Sequence, residues 1–333
     1  MTLPAIETYV FDAPSHLKIV AKRYTTTLST HDVGGLTLVF THCIGSHKEQ
    51  WEPVIQHLFR SQYTKDKRYR IREAWSFDWQ NHGDAAVLNR EALKLRPKGV
   101  SAYEWSEAIA EFIRSPRMKG HRIVGLGHSA GAATVLLTTK GIPSNELPFV
   151  AMILIEPTIV TREVFNEERE DRMSAMDFAV TATSTRRDNW RSREQALAYF
   201  KKRLPWGLWD PRALQILVDH GLETLPSGEV ALKCDRKQEA ISYPDVEPHF
   251  EGALHLGRVC HTLPIHLIWG ARNDFVPDFI RDSLSDAKEG RIVASVTKVK
   301  DAGHLVVQEQ PTLLAEAIVP ILDGIGPVPR SRL

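Results

Sequence analysis

Val124-Gly125-Leu126-Gly127-His128-Ser129-Ala130-Gly131-Ala132-Ala133 reads as a buried strand, a very tight turn and a helix of small residues. Ser129 stands at the centre of Gly-His-Ser-Ala-Gly, the G-x-S-x-G pattern of a nucleophile elbow. A serine lifted above a sheet needs strained backbone, and its neighbours must carry no bulk where helix and strand nearly touch. Gly127 and Gly131 meet that need, and Ala130, Ala132 and Ala133 keep the following helix close to the sheet. The same turn aims the Ala130 N–H at the place where an oxyanion would form. A Gly-rich strand-to-helix turn gives the same five letters without chemistry, so the flanking sequence decides.

Upstream, Gly34-Gly35 starts a buried strand, Leu36 to Phe40, which ends in Thr41-His42-Cys43-Ile44-Gly45. Serine hydrolases built in this order carry His-Gly at this strand end, and the residue after the Gly supplies a second oxyanion N–H. By position that donor is Ile44. Cys43 stands where Gly is usual and reads as a small buried filler in preference to a reactive thiol. Trp51 to Phe59 has helical spacing, and a strand over Arg70 to Phe77 leads into the polar loop Asp78-Trp79-Gln80-Asn81-His82-Gly83-Asp84. Such strand-end loops line the site in open α/β sheets. Asp78 and His82 read first as turn residues, and Asp78 joins His42, Cys43 and His128 as a candidate substrate-binding residue.

Downstream, Phe149 to Ile155 is an apolar run typical of a parallel strand buried on both faces, and it ends at Glu156-Pro157. From Thr158 to Val259 charges cluster and helix signals dominate: Ser192 with Gln195 forms a capping box, and Asp210-Pro211 opens a helix that Gly221 closes. The aromatics here, Trp190 and Trp206 among them, would roof an apolar pocket or form the segment's own core. Its Arg and Lys clusters read as a solvated face in preference to a phosphate-binding one. Strands resume at Ile265 to Trp269 and near Arg291 to Val299; Asp301-Ala302-Gly303-His304 and a final helix, Pro311 to Leu322, follow.

The order Ser129, acid, His304 after the last strand is that of the α/β-hydrolase fold. The expected architecture is a mostly parallel eight-stranded sheet flanked by helices. Residues 1–157 and 261–323 form its two parts, 158–260 an inserted, mainly helical cap, and 324–333 an extended tail. Ser129 would attack, His304 would serve as base and then acid, and a carboxylate would orient the imidazole. No metal or cofactor is expected. The usual slot for the acid, in a pattern like G-x-x-D-x-x-V-P after Ile265 to Trp269, holds Asn273, with Asp274 one place late. Glu156, at the preceding strand end, is preferred, and Asp274 is the alternative.

Length and composition frame this reading. The chain has 333 residues, 42 Lys+Arg against 41 Asp+Glu, and a formal net charge of +1, so nothing points to nucleic acid. Cys43, Cys234 and Cys260 make no framework of paired spacings, as expected of reduced thiols. No run of 18 apolar residues exists to cross a membrane, and Met1 to Glu7 lacks the regions of a signal peptide.

Thr41 to Pro53 (THCIGSHKEQWEP), Asp78 to Asn89 (DWQNHGDAAVLN), Ile153-Leu154-Ile155-Glu156-Pro157 and the stretch Trp209 to Cys234 resemble a fungal branch of the α/β-hydrolase superfamily. That branch includes peroxisomal hydrolases of host-selective-toxin biosynthesis, a yeast peroxisomal lipase and the acyl-CoA hydrolase of mycophenolic acid biosynthesis. The resemblance implies a peroxisomal serine hydrolase of esters or acyl-CoA thioesters in secondary metabolism. It also implies a triad acid at the Glu156 strand end. Ser331-Arg332-Leu333 is close to the peroxisomal address S-K-L, so an import receptor is an expected partner. Rival readings are carbon–carbon hydrolysis of a β-diketone, which uses a similar triad, and a non-catalytic binding protein on the same fold. Ser at the elbow, where epoxide hydrolases and dehalogenases carry Asp, disfavours those enzymes.

Overall fold

The computed structural model describes residues 3–62, 65 and 70–326, so the tripeptide Ser331-Arg332-Leu333 lies outside the described residues. Eleven strands are present among the described residues: β1 (Ala5–Asp12), β2 (Lys18–Thr25), β3 (Leu36–Thr41), β4 (Ile71–Phe77), β5 (Arg122–His128), β6 (Phe149–Ile155), β7 (Asn189–Trp190), β8 (Leu222–Thr224), β9 (Val230–Leu232), β10 (Ile265–Gly270) and β11 (Ser295–Val299). Eight form one sheet in the order β1-β2-β4-β3-β5-β6-β10-β11. Only β2 runs against the others, pairing antiparallel with both β1 and β4. The expected mostly parallel, eight-stranded α/β-hydrolase sheet is the observed one.

The central strands are buried on both faces because their side chains alternate between two apolar layers. On β6, Met152 and Leu154 enter one layer, with Trp75, Trp269 and the helices Ala102–Arg114 and Ala130–Leu137. Ile153 and Ile155 enter the other, against the helices Glu52–Gln62 and Pro311–Gly324. Burying each such branched side chain stabilises the fold by about 1.5–3 kcal/mol. Among the described residues no helix is long and apolar enough to cross a membrane.

Between β6 and β10 the chain makes six α-helices, the longest being Arg169–Thr185, and also a small antiparallel sheet in the order β7-β9-β8. That sheet, of strands only two or three residues long, is not announced by the helical signals. The last helix of the segment, Glu247–Val259, sends Phe250, Ala253, Leu256 and Val259 into the same layer as the elbow helix's Ala132, Val135 and Leu136. By packing it therefore continues the sheet's own layer. Asp210 caps the helix Pro211–His220 through the Arg212 N–H. Ser192 caps Arg193–Phe200, but the Gln195 side chain accepts from the Arg191 N–H, so the expected box is only half formed.

Candidate functional site

At the tip of β5 the backbone of Ser129 takes φ 56°, ψ −120°, a region L residues avoid, and its N–H donates to the Ile155 carbonyl of β6 at 3.0 Å. A Cβ on Gly127 would lie 2.6 Å from the Ala132 Cα, and one on Gly131 would lie 2.5 Å from the Thr41 carbonyl oxygen. The two glycines are thus required by close approach, and the strain at Ser129 lifts its hydroxyl out of the strand line.

His304 reaches this hydroxyl from the loop after β11: its Nε2 accepts from Ser129 Oγ at 3.0 Å. Its Nδ1 donates to Glu156 Oε2 at 3.1 Å. Glu156 follows β6 with φ 45°, a second non-glycine residue in the left-handed region, and its side chain is fully buried. The other carboxylate oxygen accepts from the Gly270 N–H at 2.6 Å and from Arg281 Nη2 at 3.2 Å. Asp274 also approaches His304, but at the main chain: its Oδ1 accepts the His304 N–H at 2.8 Å, and its Oδ2 pairs with Arg272 Nε at 3.0 Å. A hydroxyl, an imidazole and a carboxylate linked in this way can pass a proton from the hydroxyl to the ring and stabilise the ring's charge.

Ala130 opens the helix after the elbow, and Ile44 lies in the loop after β3. Neither N–H donates to an acceptor among the described residues. Cys43, beside them, is buried, and burial pushes its thiol up to about 12, so it is an inert filler. His128 is buried behind the elbow; burial, then the neighbouring His304, lowers it to about 3. Its Nε2–H donates to the His304 carbonyl at 2.7 Å, which makes it a support for that loop.

Four substrate-binding candidates sit elsewhere in the architecture. His42 has both ring nitrogens engaged, Nδ1 with the Cys43 carbonyl at 2.7 Å and Nε2 with the Trp79 N–H at 3.1 Å. Burial lowers it to about 3, so it is a neutral loop staple. Asp78 is fully buried and accepts from the Lys48 and Asp84 N–H groups, each at 2.9 Å, which makes it an organiser of turns. Trp190 packs with Phe200, Leu214 and Val230 inside the segment between β6 and β10, and Trp206 lies against Phe200 with ring centroids 4.9 Å apart. Their side chains form that segment's own core, because β7–β9 and two helices close around them.

Three contributors were given no role of their own by the sequence. Arg281, from the helix Asp278–Ser283, is buried and ties Glu156 to the Gly270 and Val276 carbonyls. Phe275, 43% exposed, stacks on the His304 ring at a centroid distance of 4.3 Å. Lys48 is completely buried; its Nζ meets Asp78 and Glu49 at 2.9 Å and Asp84 at 2.6 Å. Burial pulls its ammonium down, yet the three carboxylates outweigh this and hold it above its ordinary value. Only the HKE motif, Glu49 included, marked this spot.

Comparison with solved structures finds the peroxisomal alpha-beta-hydrolase Lpx1 of Saccharomyces cerevisiae at TM-score 0.77 and 20% identity, covering 100% of this chain and 93% of that one. E-2-(acetamidomethylene)succinate hydrolase follows at TM-score 0.70 and 17% identity, over 96% of this chain and 100% of the other. An esterase of Mycobacterium tuberculosis aligns at TM-score 0.64 and 20% identity, over 97% and 92% of the two chains. At such identities these likenesses speak for the fold. Among curated protein sequences none matches the chain significantly. A model of the Alpha/beta hydrolase family matches residues 38–317, most of the sheet and everything between Ser129 and His304, and the chain belongs to that family.

Proposed function

We propose that this hydrolase is a serine enzyme that cleaves a carboxylic ester or an acyl-CoA thioester. One observation carries the reading: the unbroken contact chain from Ser129 Oγ to His304 Nε2 and from His304 Nδ1 to Glu156 Oε2, at 3.0 and 3.1 Å. Ser129 Oγ attacks the acyl carbonyl as its proton passes to His304 Nε2. Glu156 faces the imidazolium, and the Ala130 and Ile44 N–H groups receive the oxyanion. Collapse expels the alcohol or thiol, which takes the proton from Nε2. Water then repeats the sequence on the acyl-enzyme and frees the acid and Ser129.

A fluorophosphonate probe should label wild-type protein at Ser129, and Ser129→Ala should abolish the label. Protein that hydrolyses substrate yet resists the probe would contradict the serine mechanism. Acyl-CoAs screened against simple esters of the same acyl chain identify the leaving group. We further propose import into peroxisomes, supported by Ser331-Arg332-Leu333 and by the peroxisomal designation of Lpx1. A fluorescent fusion that leaves the C-terminus free should be punctate in peroxisome-bearing cells, and a diffuse signal removes this part of the reading.

A further inference from the structure

Two parts of the molecule meet at Gly45. This glycine has φ +75°, and its N–H donates to His82 Nε2 at 3.1 Å. Burial holds His82 well below its ordinary value, so the ring is neutral; its Nδ1–H goes to Asn81 Oδ1 at 2.7 Å, which leaves Nε2 free to accept. The preceding turn is tied by the Ser46 N–H to the Cys43 carbonyl at 3.2 Å and by Gln308 Nε2 to Ser46 Oγ at 3.2 Å. On its other side the loop meets a carboxylate: a Cβ on Gly45 would lie 2.6 Å from Glu239 Oε1.

Glu239 belongs to the helix Arg236–Ala240, far along the chain in the segment between β6 and β10, and it is 1% exposed. Arg186, at the end of the helix Arg169–Thr185, grips it with a fork: Nη1 reaches Oε1 at 2.7 Å and Nη2 bonds Oε2. Arg236 in turn donates to the Arg186 carbonyl. A buried ion pair carries a desolvation cost that its own attraction barely offsets, so such a pair is weak evidence for stability. Its planar, two-point geometry does fix position closely. What it fixes here is the residue next to Ile44.

We infer that the Arg186–Glu239 pair is a positioning device which, docked on Gly45, holds the Ile44 N–H in line for the oxyanion. Neither side chain touches the reacting atoms. The pair lies wholly within the segment between β6 and β10, so this donor is aligned only while that segment is seated on the loop. The inference rests on the proposed role of Ile44 as an oxyanion donor. Losing such a donor outright costs about 10²–10³ in kcat, and a misaligned one should cost about tenfold.

The test compares wild type, Glu239→Gln and Arg186→Lys on one p-nitrophenyl ester. It adds inhibition by a trifluoromethyl ketone, whose adduct with a serine carries an oxyanion. Glu239→Gln should lose about tenfold in kcat with KM within about twofold, and ketone affinity should weaken by the same factor as kcat. Arg186→Lys keeps the charge but not the fork, and should fall between the two proteins in both readings. It carries the test alone if Glu239→Gln does not fold. A pair that only staples the fold would lower the melting temperature and leave kcat and ketone affinity unchanged; that result overturns the inference. A loss confined to KM also overturns it, since the pair would then be binding substrate. Fluorophosphonate labelling of wild-type Ser129 is scored first, so failure of the serine mechanism is seen separately from failure of this device.

Discussion

Two loops bring a carboxylate to His304, and they do different things. The loop after β6 delivers Glu156 to the ring, with the side chain fully buried and held by Gly270 and Arg281. The loop after β10 delivers Asp274 to the main-chain N–H, with the side chain 36% exposed and shared with Arg272. The difference arises in the backbone. Glu156, just past β6 with a φ of 45°, puts its Oε2 3.1 Å from Nδ1. At the other loop the carboxylate comes one residue later than the pattern G-x-x-D, and it meets the peptide of His304 in place of the ring. A carboxylate near a histidine is therefore not enough; which atom it faces decides whether it can stabilise charge on the imidazole.

The largest expected effect sets the scale for that comparison. Ser129→Ala and His304→Ala should each lower kcat by at least about 10⁴ while leaving the fold intact, because residues that act as a unit fail together. Steady-state kinetics with circular dichroism checks this, and near-normal turnover in folded Ser129→Ala would refute the mechanism. Next comes Glu156→Gln, which keeps size and some hydrogen bonding but presents a neutral group to the imidazolium. Its kcat should fall by about 10²–10⁴. A loss under about tenfold would mean that the buried loop does not supply the acid.

How much of this was legible follows from the kind of constraint at each residue. Gly127 and Gly131 are forced by contacts with neighbours in sequence or in the adjoining strand, so the elbow could be read directly. Strands β3, β5, β6 and β10 are long enough for their apolar runs to speak. Glu156 was visible as a strand-end acid, though not its φ. Arg281 and Phe275 were not visible, because nothing in their own neighbourhood of sequence marks a residue that folds back on Glu156 or His304. Trp190 and Trp206 stayed open between a pocket roof and the segment's own core for a related reason: β7, β8 and β9 are too short to show a period, so the closed core they help form left no trace. Lys48 stood in the sequence without a role of its own, because Asp78 and Asp84, which join Glu49 around its ammonium, meet it only in space.

Acid should disturb the supports of the His304 loop and of the loop after β3 before it unfolds the sheet by general charging. His128, which holds the His304 carbonyl, and His42, which staples the loop after β3, are both lowered to about 3 by burial. A free histidine titrates near pH 6.5. Between about pH 6.5 and 3 the unfolded chain therefore binds protons that the folded chain refuses. Stability is fully present above that window and is lost as the pH falls through it, by about 1.4 kcal/mol per pH unit for each histidine at full slope. Denaturant melts at pH 7, 6 and 5 should show the fall. His42→Gln should flatten it, and an unchanged slope in that variant would mean that His42 does not supply it.

The smallest effect is the sharpest test of the comparison, because the rival assignment predicts a large one. Asp274→Asn keeps the side-chain oxygen that accepts the His304 N–H and removes the charge that pairs with Arg272. Arg272 retains Glu309 Oε2 at 2.7 Å, so its guanidinium is not left alone. The exposed half of such a pair contributes little, typically under about 1 kcal/mol. With the amide holding the loop and Glu156 still on Nδ1, kcat should fall by less than about tenfold and KM should hardly move. If Asp274 were the acid, its charge would be spent on the imidazolium, and Asn would cost as much as Gln does at 156. The two variants measured on one ester therefore rank the two loops. A severe loss at Asp274 with a mild one at Glu156 would reverse the assignment, and it would require the loop after β10 to move until its carboxylate meets the ring.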